Sequence, residues 1–188
     1  MKKVTVATCS LAGCFGCHMS FLDMDESLIT LIKHIEFNRS PLTDIKTLSP
    51  CDIGLIEGGL CNIDNVKLLQ NFREKCKILV AVGACAINGG VPALRNHFTV
   101  KECMEEAYLN GPHINGSDIS NIEIVDPQIP NDPELPKLLE KVQPIHEQVT
   151  VDYFLPGCPP PAAAFTEIIN AIIEDRDPIL PPEQRLFE

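Results

Sequence analysis

A chain of 188 residues has room for one domain with a substantial core, and 45% hydrophobic against 22% charged residues fits a folded soluble protein rather than a disordered one. The formal net charge of −11, with only 15 Lys and Arg residues, argues against nucleic acid as a partner, because neutralising phosphate needs a basic face. No apolar run approaches the ~20 residues that span a bilayer, so membrane insertion is not expected either.

Residues 3–8 form a short β-branched run, read as a buried first strand. With Met1-Lys2-Lys3 before it and Leu11-Ala12-Gly13-Cys14 after it, the run imitates a bacterial lipoprotein signal, but its apolar part is short and broken by Thr5, Thr8, Cys9 and Ser10. The first arginine is Arg39, which leaves no twin-arginine signal, and the expected location is cytoplasmic. The Gly-bearing loop 9–17 follows. A helix is expected over 18–37, with Leu28, Ile29, Leu31, Ile32 and Ile35 at helical spacing. Its acidic patch, residues 23–26, is a solvated face or a cap at a break between two helical pieces.

DIGLIE at 52–57 reads as the second strand, stopped by Gly58-Gly59; 62–75 is an amphipathic helix, and KILVAVG at 77–83 is the clearest buried strand. Residues 84–120 read as irregular apart from a helix over 100–109, and 122–125 as a short strand. Pro127, Pro130, Pro133 and Pro136 make 126–136 an extended loop lacking several donors. A helix over 134–142 leads to the strand 151–155. The last helix starts at Pro161, a favourable first-turn position for proline, and runs to about residue 175. This alternation predicts an α/β fold, an open, mostly parallel sheet with helices on both faces. One domain spans 1–176; the tail 177–188, with three prolines and a Leu186-Phe187 end, is expected to dock on a partner.

In a parallel sheet the carboxyl ends of the strands share one edge, and ligands bind there. Cys14 and Cys17 follow the first strand, Cys85 follows 77–83 and Cys158 follows 151–155, so residues far apart in sequence converge on one point. Their number and type suit a cubane iron–sulfur cluster. Cys14-Phe15-Gly16-Cys17 offers two thiolates to one centre, and Gly13 and Gly16 relieve crowding around inorganic sulfide. Cys85 sits where a helix N-terminus supplies N–H groups. Pro159 holds Cys158 extended. A lone C-x-x-C also fits a redox dithiol or half a zinc site, but zinc usually takes two paired knuckles, and a dithiol leaves Cys85 and Cys158 without a role.

Nine cysteines, an odd number not packed into a stapled framework, read as reduced thiols. Cys9, Cys51, Cys76 and Cys103 are read as small buried hydrophobes, and Cys61, just beyond the second strand, as a further ligand candidate at the same edge. Glu57 ends the second strand and points toward the site, as a solvated carboxylate or as a hydrogen-bond or proton partner beside the cluster. His18 packs or hydrogen-bonds at the helix start rather than binding metal. The same fold class holds FMN at its switch point, but loop 9–17 replaces the hydroxyl-rich loop a phosphate prefers, so FMN on this chain stays open.

The stretches Gly13-Cys14-Phe15-Gly16-Cys17-His18-Met19-Ser20, Ile56-Glu57-Gly58-Gly59, Gly83-Ala84-Cys85-Ala86-Ile87-Asn88-Gly89-Gly90 and Pro156-Gly157-Cys158-Pro159-Pro160 cover most of the chain and resemble the small, electron-transfer subunit of nickel–iron hydrogenases. The resemblance implies a flavodoxin-like, doubly wound fold. It also implies one proximal [4Fe-4S] cluster on Cys14, Cys17, Cys85 and Cys158, facing the Ni-Fe centre of a separate large subunit. No catalytic residue is then expected in this chain.

Membrane-associated uptake enzymes resemble only its first domain and add further cysteines and a histidine for two more clusters; here nothing after Cys158 can ligate iron. The single-cluster form looks like the bidirectional NAD-reducing hydrogenases, whose diaphorase subunits carry iron–sulfur clusters, FMN and NAD. The implied reaction is H2 + NAD+ to NADH and a proton. Hydrogenases with a deazaflavin, ferredoxin or sulfur acceptor fit the same motifs. The cluster subunit of respiratory complex I, with adjacent cysteines in place of C-x-x-C, resembles the chain less.

Overall fold

Five strands, rich in Val, Ile, Leu and Ala, carry the fold because a sheet covered on both faces must be apolar on both. A computed structural model describes residues 3–111 and 127–186; the strand expected over 122–125 lies outside them. β1 (Val4–Ser10) leads through α1 (Gly16–Leu22) and α2 (Glu26–Leu31) to β2 (Ile35–Phe37). β3 (Cys51–Glu57) is followed by the short β4 (Leu60–Asn62), α3 (Ile63–Lys75), β5 (Cys76–Val82) and α4 (Gly83–Asn88). A 3-10 turn (Val91–His97) and α5 (Val100–Glu105), extended by a wider turn (Glu106–Asn110), come next. β6 (Leu138–Gln143), β7 (Tyr153–Leu155) and α6 (Ala162–Ile173) follow.

The sheet runs β2-β1-β3-β5-β7 with every neighbouring pair parallel, the doubly wound, flavodoxin-like order. Side chains alternate between two apolar layers. Val6, Ile53, Leu55, Val80 and Val82 pack with Phe21 of α1 and Phe165, Ile168 and Ile169 of α6. Ala7, Cys9, Ile56, Leu79 and Ala81 join Leu69 and Phe72 of α3 on the other face. Register aligns the strand ends: Ser10 pairs with Glu57, Glu57 with Val82, and Val82 with Leu155, one row along the carboxyl edge.

Two expectations are corrected. The helix expected over 18–37 is three elements: the chain breaks at Asp25, with φ of 48°, and Ile35–Phe37 is a strand. The helix expected over 134–142 is also a strand. β6 pairs antiparallel with β4, and Arg95 and Asn96 hold it there through Leu139 O (2.7 Å) and both backbone groups of Val142 (2.8 and 2.7 Å). Pro136 disfavours the helical region for Leu135, while residues of β6 find ladder partners on β4. Past α6 the chain folds back: Leu180 is buried in the first apolar layer, and Glu167 binds Arg176 and the Ile179 N–H.

Candidate metal centre

Four loops at the carboxyl edge build the site, after β1, β3, β5 and β7, and each is pinned to a neighbour by backbone hydrogen bonds. The loop after β1 runs against the one after β3: Leu11 N–H donates to Glu57 O (2.9 Å), and Ala12 and Gly59 exchange bonds of 3.0 and 2.8 Å. Phe15 then turns in the left-handed region, φ 67°, and delivers Cys17 into the first turn of α1. Ala84 N–H donates to Gly157 O (2.9 Å), tying the Cys85 turn to the Cys158 turn. Ser20 of α1 donates to Pro160 O (2.5 Å), which closes the ring.

Between these loops lies a cavity of about 110 Å³, and all four cysteines expected at the edge, Cys14, Cys17, Cys85 and Cys158, line it together with Glu57 and Pro159. Cys17 and Cys85 are half-buried; Cys14 and Cys158 are exposed. Among the described residues no three His, Cys, Asp or Glu side chains close on a single metal ion. Two glycines open the cavity. A Cβ on Gly83, whose φ is +79°, would lie 2.5 Å from Cys17 Sγ, and one on Gly90, φ +47°, would lie 2.8 Å from Cys85 Sγ. Both positions need a residue without a side chain, for backbone reasons and for the sulfur's sake.

Charge tells the same story. Burial pushes the Cys17 thiol well up from its ordinary value, and Glu57, Cys85 and Cys14 push it the same way. Burial and then Cys158 raise Cys85, with Cys14 and Glu57 adding to the effect. For Cys17 and Cys85 the neighbouring sulfurs and the carboxylate oppose ionisation, and a polynuclear cationic centre would remove that opposition. The donor set and the glycine cradle therefore fit an iron–sulfur cluster.

Glu57 is buried rather than solvated, 3% exposed, with Oε2 accepting from His18 N–H at 3.1 Å. Burial alone would raise its carboxyl; contacts with the His18 ring, the Ser10 side chain and the His18 N–H outweigh burial and hold it below the usual value. His18 is likewise buried, stacked on Phe15 with ring centroids 4.5 Å apart. Its Nε2 is in hydrogen-bond contact with Thr8 Oγ1 (2.8 Å), which meets Ser40 Oγ (2.7 Å). Nδ1 faces Glu57 Oε1 at 3.2 Å, off the hydrogen-bond axis, and neither atom has another partner among the described residues. Neither Thr8 nor Ser40 is marked by the sequence, because β1 also carries Thr5 and Ser10 and only the fold brings Thr8 to His18.

Cys61 turns away from the cavity, its backbone and thiol both directed at Asn65 Oδ1 (3.2 and 3.3 Å). Cys9, Cys51 and Cys76 are buried as expected, whereas Cys103 is half-buried.

Residues 14–172 match the family described as NADH ubiquinone oxidoreductase, 20 Kd subunit. The chain is 44% identical over 180 residues to the NAD-reducing hydrogenase HoxS subunit delta of Cupriavidus necator, covering 95% of this chain and 83% of that one. Identity to a subunit of the F420-non-reducing hydrogenase of Methanothermobacter marburgensis is 36% over 183 residues, 96% of this chain but 56% of the relative, so the chain spans little more than half of that protein. A solved NAD+-reducing [NiFe]-hydrogenase in the H2-reduced state contains a chain 48% identical, with a TM-score of 0.91 and 100% of both chains covered. The [NiFeSe]-hydrogenase of Dm. baculatum shares the fold, at 15% identity and a TM-score of 0.57 over 98% of this chain and 70% of that one. Motif, sheet order and similarity agree, and the chain belongs to the NADH ubiquinone oxidoreductase 20 Kd subunit family, among the small, electron-transfer subunits of NAD-reducing nickel–iron hydrogenases.

Proposed function

We propose that Cys14, Cys17, Cys85 and Cys158 hold one [4Fe-4S] cluster, through which this chain connects the Ni-Fe centre of a large subunit to a diaphorase carrying iron–sulfur clusters, FMN and NAD. The overall conversion is H2 and NAD+ to NADH and a proton. One observation carries the reading: four thiols from three loops line a single cavity, with no Cβ at Gly83 and Gly90 to crowd their sulfurs. When bound, such a cluster supplies one-electron redox chemistry at a potential set by burial, charge and hydrogen bonds to sulfur.

The chain's own residues supply those settings. Gly16 N–H points at Cys14 Sγ (3.4 Å), a donor that stabilises negative charge on sulfur. Glu57 does the opposite, setting a buried carboxylate beside Cys17 and disfavouring added electrons. Half-burial of Cys17 and Cys85 limits water on the inner side, while exposed Cys14 and Cys158 face outward, where a partner's redox centre can approach. A cytoplasmic site of action goes with this reading; among the described residues no helix is long and apolar enough to cross a membrane.

Iron and acid-labile sulfide analysis of the purified complex tests the ligand set. Cys85→Ser is expected to lower each by about four atoms per complex, the content of one cubane. Undiminished content would remove Cys85 from the ligands. Identifying the co-purifying subunits separates NAD from a deazaflavin, ferredoxin or sulfur acceptor, and resolved flavin bands persisting on the chain freed of its diaphorase would place FMN here as well.

A further inference from the structure

We propose that Cys51 and Cys76 form a redox-sensitive dithiol that peroxide closes into a disulfide, stapling β3 to β5 at the end of the sheet away from the cysteine cavity. The two open their strands as direct register partners, so their side chains leave the same face. Their sulfurs are in contact at 2.8 Å, and each residue is 3% exposed. Neighbouring strands run ~4.8 Å apart, within the ~4.4–6.8 Å between Cα atoms that a disulfide spans, so closure needs no strand to move. Gly54 leaves room for it: a Cβ there would sit 2.8 Å from Cys76 Sγ. The pair lies one residue from solvent, because Pro50 and Lys77 on either side are exposed.

The two sulfurs are not equivalent. A hydrogen bond from the Cys76 thiol lowers Cys51 against the effect of burial, and the same contact drives Cys76 up. Cys51 is the nucleophile and Cys76 the resolving thiol. The Cys51 thiolate attacks one oxygen of hydrogen peroxide, the O–O bond breaks, and the departing hydroxide takes up the thiol's proton as water. Cys76 sulfur then displaces hydroxide from the Cys51 sulfenic acid, and the Cys76 proton leaves with it as a second water. Two thiols give up two electrons, the peroxide oxygens receive them, and the net change is two thiols and H2O2 to one disulfide and two waters.

The purified complex, treated with hydrogen peroxide, denatured in N-ethylmaleimide and digested, provides the test. A peptide pair joined through Cys51 and Cys76 is expected, two hydrogens lighter than the reduced pair and separated by dithiothreitol. In Cys51→Ser the pair should vanish while iron content stays at the wild-type value; in Cys76→Ser the sulfenic acid of Cys51 should be trapped by dimedone. The oxidised chain should unfold several degrees higher than the reduced one, on the order expected for a cross-link closing a loop of this length. Recovery of both residues as maleimide adducts, at peroxide levels that oxidise other thiols of the chain, would overturn the proposal. Low iron in Cys51→Ser would overturn the independence of the two cysteine groups without touching the cluster ligands.

Discussion

Gly83 follows β5 directly and leaves the space that the Cys17 sulfur occupies beside the cavity. A methyl group there would meet Cys17 Sγ at 2.5 Å, and its backbone already occupies the left-handed region. Gly83→Ala should therefore cost ~1–2 kcal/mol in backbone strain alone and displace a thiolate from the cavity. Its expected phenotype is a lower unfolding midpoint together with reduced iron content. Gly89→Ala is the control, because its backbone is also left-handed, φ +89°, but a Cβ there would meet Ala93 and no sulfur. Equal iron in both variants would show that the cradle is not needed.

The contrast also marks what was legible at this scale. The four cysteines were readable because each closely follows an apolar strand, and strand ends converge. Of the two glycines expected from sequence to relieve crowding, Gly16 does so, since a Cβ there would lie 3.1 Å from Cys14 Sγ, while Gly13 has no sulfur within reach. The glycines that clear Cys17 and Cys85 come from β5's end and from beyond α4, and only the folded register brings the first of these against Cys17.

Elements were legible where one force set them. β1, β3 and β5 are buried on both faces, so hydrophobic runs found them. β2 was missed because Ile35 keeps helical spacing with the apolar residues before it, and only pairing with β1 makes it a strand. β6 contains good helix formers, yet pairing with β4 and the grip of Arg95 and Asn96 override that preference.

The strands found correctly are also cross-tied, and the tie makes a prediction. Asp52 of β3 accepts from Thr5 of β1 through both N–H and hydroxyl (2.9 Å each) and from Lys77 of β5 (2.7 Å). Lys77 first, then the Thr5 N–H, hold its carboxyl at about 2, below the ordinary 3.8. A depressed pKa means that the unfolded chain takes up the proton first as pH falls. The contribution is therefore complete above about pH 4 and fades toward pH 2. With Lys77 largely exposed, it amounts to ~1 kcal/mol after solvent screening. Asp52→Asn should be less stable by about that amount at pH 7, and denaturant titrations should show the gap to wild type closing below pH 4. A gap independent of pH would assign the loss to packing instead of charge.

At the scale of the whole molecule, a chain of formal charge −11 exposes an apolar row beside its cysteine cavity. Val91, Leu94 and Phe98 are 69%, 62% and 60% exposed, while Arg95 and Asn96 between them turn inward to β6. The row begins next to Gly90, where a Cβ would lie 2.8 Å from Cys85 Sγ, so it starts beside the cavity. A subunit that passes electrons must bring its centre close to the next one, and an apolar rim suits the desolvated core of that contact. The proposed large subunit is the occupant this predicts. Replacing Leu94 and Phe98 together by Asp places two carboxylates in the interface, where each unpaired charge costs more than the ~1.4 kcal/mol that changes affinity tenfold. Co-purified large subunit should fall at least tenfold. Ile29→Asp, an equally exposed apolar site on α2 (61%), should retain the wild-type ratio. Full retention of the large subunit by the double variant would move the interface to another face of the chain, and with it the direction in which Cys14 and Cys158 look.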